Sequence, residues 1–240
     1  MILTAEALRL AAVEVLRPTG AVDDFPTLAG AMVFDSRAAA VADLDKTPAG
    51  DLPYTPVLAL YTRDEKATSR GDAAAIDDNA CSCVLEIIGE LAVIDEDEDG
   101  PFVDALSGSD PEARLVLAAM MAQVRNELLH AQRGHLFRRI ALHCDAIDIE
   151  PHTVPELGLR FHRMFMRMTM RIRDDAFSDA GGLAGPVKTL FDALPSGSYA
   201  KAKLTVLSGY LAGQTLPALE GVEITQTGAD DPLASVEFGE

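Results

Sequence analysis

The sequence contains no tryptophan, and aromatic residues make up only 5% of it. A broad stacking surface for bases or sugars is therefore not expected. Basic residues are also scarce, because 20 Lys and Arg stand against 38 Asp and Glu and leave a formal net charge of −18. Binding to phosphate backbones needs clustered cations. This balance argues against nonspecific nucleic-acid binding.

Cysteines and long apolar runs are few as well. Three cysteines, an odd number in 240 residues, indicate reduced thiols and not a secreted disulfide framework. The longest late uncharged run, residues 204–219, is broken by Gly209, Gly213 and Pro217 and is too short to span a bilayer. Charged residues interrupt the apolar N-terminus, so no signal peptide is expected. We expect a soluble protein made inside the cell, without membrane contact.

The remaining composition is that of a globular protein, with 48% apolar and 24% charged residues. The length suits one large domain or one domain with an extension. The charge is unevenly distributed, since residues 20–110 carry a net charge of −15 and residues 111–173 a net charge of +4. Two interpretations stay open: solvated loops concentrate in one half, or acidic and basic faces meet in neighbouring copies.

Apolar spacing predicts two long helices. The first covers residues 4–17, with Thr4 as its cap and Pro18 at its end. Its charged residues, Glu6, Arg9 and Glu14, are expected to face water.

The second helix, over residues 110–130, has the clearest start. Ser109 and Asp110 are capping residues, and Pro111 has the backbone angle of a first turn. A wide apolar face is predicted from Leu115, Ala118, Ala119, Met121, Ala122, Leu128 and Leu129.

Four further segments are typical of strands: residues 32–35, 56–62, 81–93 and 141–154. Gly89, inside the third of them, indicates a bulge. The segments 63–79 and 95–109 lack apolar periodicity and are expected to be exposed loops.

Residues 159–173 alternate between apolar and basic side chains. As a strand, they place Met164, Met166, Met168, Met170 and Ile172 on one face and Arg163, Arg167, Arg171 and Arg173 on the other. As a helix, they also form an arginine stripe. The unbroken alternation favours the strand.

The character of the chain changes after Arg173. A Gly-rich hinge over residues 180–186 precedes two predicted short helices, 186–194 and 198–211, and a last strand, 223–227. We therefore predict a domain over residues 1–173 and a C-terminal, partly helical extension over residues 174–240.

One acidic run is similar to a metal-binding motif. Residues 95–100 (DEDEDG) match the first half of a calcium loop. The carboxylate required six residues after the glycine would fall on Leu106, so a solvated acidic loop is the favoured interpretation.

No motif for catalysis is present. The five histidines and three cysteines lack the spacing of a zinc site, and there is no nucleophile elbow, P-loop or dinucleotide-binding glycine pattern. We predict no catalytic, cofactor-binding or metal-binding residues, and no enzyme activity.

The order of elements resembles the tail terminator (tail completion) proteins of long-tailed bacteriophages, the lambda type in particular. The segments that carry the resemblance are LRLAAVEVL, AMVFDSRAAAV leading into LPYTPVLALYT, SCVLEIIGELAV, DPEARLVLAAMMAQVRNELLH and LRFHRMFMRMTMRIR. The strongest of them is the proline-led strand PYTPVLALYT. The resemblance covers roughly residues 1–173 and is one of pattern, not of invariant motif.

The resemblance implies an α+β fold and a structural role. The sheet should be mixed and mostly antiparallel, with two helices packed on one face. Copies should form a hexameric ring at the head-proximal end of the virion tail, assembled in the host cytoplasm. The ring would stop polymerisation of the tail tube protein and bind the head–tail connector or neck protein, while DNA passes through without specific binding.

The arginines of residues 159–173 are the predicted interface. Arg163, Arg167, Arg171 and Arg173 are expected to meet an acidic surface of a neighbouring copy or of the tail tube. Two alternatives stay open: another neck or adaptor protein of the head–tail joint, and a calcium-dependent acidic module.

Overall fold

A mixed six-stranded sheet organises the molecule. The computed structural model describes residues 1–44, 54–97, 100–105, 111–154 and 159–213. The strands are β1 (Val33–Asp35), β2 (Thr55–Ser69), β3 (Asn79–Asp97), β4 (Gly100–Ala105), β5 (Ala141–Val154) and β6 (Leu159–Ile172). The helices are α1 (Ile2–Leu16), α2 (Val41–Leu44), α3 (Pro111–Leu129), α4 (His135–Ile140), α5 (Gly185–Ala193) and α6 (Tyr199–Leu211).

The strands are ordered β1-β2-β3-β6-β5, and β4 pairs with the far end of β3. β1 runs parallel to β2, and every other pairing is antiparallel. The main contacts between helices and the central strands are those of α1 with β2 and of α3 with β3 and β6. The predicted α+β class, with a mixed, mostly antiparallel sheet, is confirmed.

Residues 159–172 form a strand, as the alternation favoured. Met164, Met166, Met168, Met170 and Ile172 are all buried beneath the helices. They join side chains of α1, α3 and β3 in the main core.

The prediction that all three charged residues of α1 face water is wrong. Arg9 and Glu14 are both buried. The reason is that α1 contacts β2 on one side and α3, α4, α5 and α6 around the rest, so almost no side of it meets solvent. Thr4 does not cap the helix either, because it lies inside the first turn and its hydroxyl donates to Asp175 Oδ1 at 2.9 Å.

Gly89 does not mark a bulge. The pairing of β3 with β2 and β6 is regular through this residue. A Cβ at position 89 would lie 2.5 Å from Met121 Sδ and 3.1 Å from Met120 Cε. Glycine is therefore needed here because α3 packs closely on the sheet. The irregularity of β2 lies between Arg63 and Lys66.

Neither predicted loop is a loop throughout. β2 extends through Ser69 and β3 begins at Asn79, so most of segment 63–79 belongs to a long hairpin. Residues 95–97 continue β3 and pair with β4, which is formed by residues 100–105; residues 98 and 99 of the acidic run lie outside the described residues. Residues 63–69 are mostly exposed. Since this part of β2 buries no continuous face, its sequence lacks the period that predicts strands.

The predicted helix over residues 110–130 is present as α3, but its apolar face is only partly correct. Met121 and Leu128 are buried, whereas Leu115 is 69% exposed. Ala118, Ala119 and Ala122 also face solvent. The capping residues Ser109 and Asp110 lie outside the described residues.

Both C-terminal helices form where they were predicted. They pack on α1, and Val187, Leu190 and Leu204 belong to the same core as the sheet. The predicted strand 223–227 lies outside the described residues. Among the helices that are described, none combines the length and the apolarity that a membrane crossing would require.

Candidate functional site: the open face of the sheet

The sheet face opposite α1 and α3 is here called the open face, over β3, β6 and β5. From residue 163 onwards, the period of β6 directs the odd-numbered side chains to this face, since the even-numbered ones from Met164 to Ile172 are buried beneath the helices. Arg163, Arg167 and Arg171 therefore stand in a row along the middle of the sheet. Arg173 follows the end of the strand and is exposed.

A small apolar cluster covers the β1–β2 end of the same face. It consists of Phe34, Leu44, Val57 and Ala92, with α2 supplying Leu44. The open face is the part of this sheet face that the apolar cluster does not cover.

Carboxylates on β3 face the arginines of β6. Glu86 is in register with Arg167 and Glu90 with Arg163. Arg163 Nε donates to Glu90 Oε2 at 2.7 Å, and Arg167 Nε donates to Glu86 Oε1 at 2.8 Å. Two glutamates four residues apart on one strand thus match two arginines four residues apart on its antiparallel neighbour.

The ion pairs continue across the sheet in rows. Arg167 Nη1 also reaches Glu150 Oε2 on β5 at 2.6 Å, and Arg63 Nη2 of β2 lies 3.0 Å from Glu86 Oε1. One row therefore runs from β2 to β5 with alternating charge. Arg171 donates separately to Asp145 Oδ2 at 2.8 Å.

Burial differs along the arginine row. The side chains of Glu86 and Glu90 are each 10% exposed, so leaving either carboxylate unpaired would be costly. Arg163 and Arg167 are needed to neutralise them. The Arg171 side chain is 63% exposed, and its charge is accessible from solvent. The hydrogen bonds to Glu86 and Glu150 raise the pKa of Arg167 above its ordinary value.

The structure thus places the predicted arginines together and adds partners that sequence reasoning missed. Arg163, Arg167 and Arg171 are neutralised within the chain, while Arg173 makes no ion pair with any described residue. The missed signal was the spacing of Glu86 and Glu90 within an otherwise apolar strand. The role of the four arginines as an interface stays a prediction.

A second polar network lies between α1, β1, β2 and α6. Arg9 Nε donates to Asp35 Oδ1 at 2.6 Å, and its Nη1 donates to Glu6 Oε1 at 2.6 Å and to Thr62 Oγ1 at 2.9 Å. The Tyr199 hydroxyl donates to Asp35 Oδ2 at 2.9 Å. Burial acts to lower the Arg9 pKa, but the two carboxylates outweigh it and raise that pKa. The network fixes the charge of Arg9 and ties α6 to the sheet.

The charges described on the open face are mainly paired, and His143 Nε2 lies 3.7 Å from Asp145 Oδ1, the carboxylate that Arg171 also binds. Burial raises the pKa of Cys83 to about 12, so this thiol is not a thiolate at neutral pH. Within the described ranges, no three His, Cys, Asp or Glu side chains come together as a metal site would require.

No protein-family model and no curated protein matches the chain.

Proposed function

We propose that this chain is a structural virion protein of the tail-terminator kind. It forms a hexameric ring that caps the tail tube, stops its polymerisation and offers a surface to the head–tail connector. The observation that carries the proposal is the open face, a broad sheet surface with rows of alternating charge and with the main helix packing on its other side.

The fold supports this role because the hydrophobic core lies on one face of the sheet and the opposite face is available for contacts with other subunits. The helices bury one face of the sheet, and the hydrophobic core lies there. The other face carries cross-strand ion pairs between β3, β6 and β5. A ring subunit needs such a surface, since each copy must contact neighbours and the tube.

The net charge of −18 fits a duct for DNA. An acidic wall repels phosphates, so that a duplex moves through without sticking. Specific DNA binding is not part of the proposal.

The ion pairs change which arginines carry the interface. Reversing Arg163 and Arg167 would leave the poorly exposed Glu86 and Glu90 unpaired, so such a variant would lose stability whatever its role in assembly. Arg171 is more exposed, and Arg173 is unpaired among the described residues. These two are the arginines that we assign to an acidic partner surface.

The test combines sedimentation with negative-stain microscopy of the purified full chain. We expect the wild type to form rings, and the Arg171→Glu/Arg173→Glu variant to associate at least about tenfold more weakly. The matched control is Lys188→Glu/Lys203→Glu, which reverses two exposed charges on α5 and α6 and should leave the rings unchanged.

The dependence of association on salt concentration tests the same contact. Association should weaken as the screening length falls from about 10 Å at 0.1 M to about 3 Å at 1 M salt. A wild-type chain that stays monomeric at all concentrations would overturn the proposal. Capture of a portal-side ring in preference to the tail tube would favour the neck or adaptor alternative and contradict the terminator role.

A further inference from the structure

An apolar groove lies beside α3, away from the open face. Its walls come from α3, β5 and β6, and it encloses about 440 Å³. Its apolar lining includes Ala118, Met121, Ala122, Ile149, Met164 and Met166. The exposed half of the α3 apolar face forms one rim, and Leu115, one turn earlier, is 69% exposed. Met121, Met164 and Met166 also belong to the main core, whereas Ala118, Ala122 and Leu115 are exposed.

One cationic side chain lines this groove and has no acidic partner among the described residues. Arg125 lines it and makes no hydrogen bond or ion pair with any described residue. The nearby carboxylate of Asp145, which lines the adjoining hollow, is already bound by Arg171 at 2.8 Å. An apolar occupant with an adjacent negative charge would fit this combination.

The groove adjoins the outer edge of β5, but a strand is not the expected occupant. The pairing of β5 with β6 shifts register at three places, and Pro151 lies in the strand. Bulges and prolines are devices that prevent strand addition at an edge. The occupant should therefore insert side chains into the groove.

The tip of the β2–β3 hairpin has the complementary character. This tip, residues 70–78, joins Ser69 to Asn79 and is called the arm tip below. It carries Ile76, which is 100% exposed, next to three alanines. Three aspartates and one arginine give it a net charge of −2. Ile76 is thus an exposed apolar side chain within an acidic loop.

Hydrogen bonds order the arm tip before it meets any partner. Ala74 N donates to Gly71 O at 3.0 Å, and Asp78 N donates to Ala75 O at 3.0 Å. Arg70 pairs with Asp78 at 3.0 Å, which leaves Asp72 and Asp77 as the available carboxylates. A segment that is already ordered loses less conformational entropy on binding.

We infer that the arm tip of one copy docks in the α3 groove of a second copy, with Ile76 packed on the apolar lining of the groove and an arm-tip aspartate beside Arg125. Because the two patches differ and both belong to one chain, the contact is heterologous and generates a ring or an open helix of copies. The inference rests on the proposed function and names the contact through which its ring forms.

The test uses exposed residues, so that the fold is preserved. Ile76→Asp should weaken self-association of the full chain by about tenfold or more, because the isoleucine becomes buried when the arm tip docks in the groove and an aspartate cannot replace that contact. Val22→Asp is the matched control, since Val22 is 80% exposed and belongs neither to the arm tip nor to the groove lining. Arg125→Asp should weaken association, and Asp77→Arg combined with Arg125→Asp should restore part of it.

A photo-crosslinker at position 76 locates the contact directly. When oligomers of the chain that carries the crosslinker at position 76 are irradiated, they should yield crosslinks between copies to peptides from α3 or β5. If oligomers form but Ile76→Asp leaves them intact and crosslinks map elsewhere, the inference is overturned while the proposed ring function stands. If the wild type does not self-associate at all, both are overturned.

Discussion

Glu14 and Ser198 share a buried hydrogen bond of 2.7 Å although 184 residues separate them in the chain. The Ser198 hydroxyl donates to Glu14 Oε2 and accepts from Lys201 N, so that it caps α6 as well. Glu14 also accepts from Thr19 N at 2.8 Å. One serine thus joins the first helix to the last described one.

Ser198→Ala is expected to lower the free energy of unfolding by about 1–3 kcal/mol, because it removes a helix cap and leaves the buried Glu14 carboxylate short of a donor. Urea denaturation followed by circular dichroism measures this. Thr205→Ala on the same helix, where the hydroxyl is exposed, should change stability by less than about 0.5 kcal/mol. Equal losses in both variants would refute the role of Ser198.

Arg9→Met is expected to cost about 3–5 kcal/mol, since Asp35 would be left as a buried carboxylate without its cation. Arg9→Lys should lie between the methionine variant and the wild type, because lysine keeps the charge but loses the planar fork that spans Asp35 and Glu6. Thermal and urea unfolding give the comparison.

The control for Arg9 is Arg37→Met. Arg37 pairs with Asp43 at 2.6 Å but is half exposed, and exposed pairs contribute about 1 kcal/mol or less. If the two methionine variants are equally stable, the network around Arg9 is not a stabilising one.

Stability should fall in acid through Asp174 and Asp175. The hydrogen bond from the Met1 ammonium, 2.8 Å from Asp174 Oδ1, lowers the pKa of Asp174 to about 2. Burial acts to raise the Asp175 pKa, but hydrogen bonds from Met1, Leu3 and Thr4 outweigh it and lower that pKa. Because the folded pKa values lie below the unfolded value of 3.8, the stabilisation is present above pH 3.8 and is lost as the pH falls towards 2.

Urea midpoints measured from about pH 5 to about pH 2.5 check this. The Asp174→Asn/Asp175→Asn variant should be less stable than the wild type at pH 5 and should lose less stability on acidification. Asp179→Asn, an exposed aspartate in the following loop, is the control and should keep the wild-type slope. Parallel pH profiles for all three chains would contradict the assignment.

Periodicity was sufficient where an element has one buried face. The alternation of Met and Arg in β6 predicted this strand, and the two predicted C-terminal helices match α5 and α6 within a residue or two. The mixed sheet with helices on one face followed from the same patterns. Burial of apolar side chains on one side leaves a record in the sequence that can be read locally.

Only the tertiary structure decided which charges meet and which are buried. Arg9 and Glu14 are buried because α1 is enclosed on all sides, and Arg167 binds Glu86 because β3 and β6 pair in one register. Residues 63–69 of β2 are mostly exposed, so this part of the strand left no period to detect. The sequence alone determined the elements with one apolar face; the partners of polar residues depend on contacts between distant segments, which no local pattern encodes.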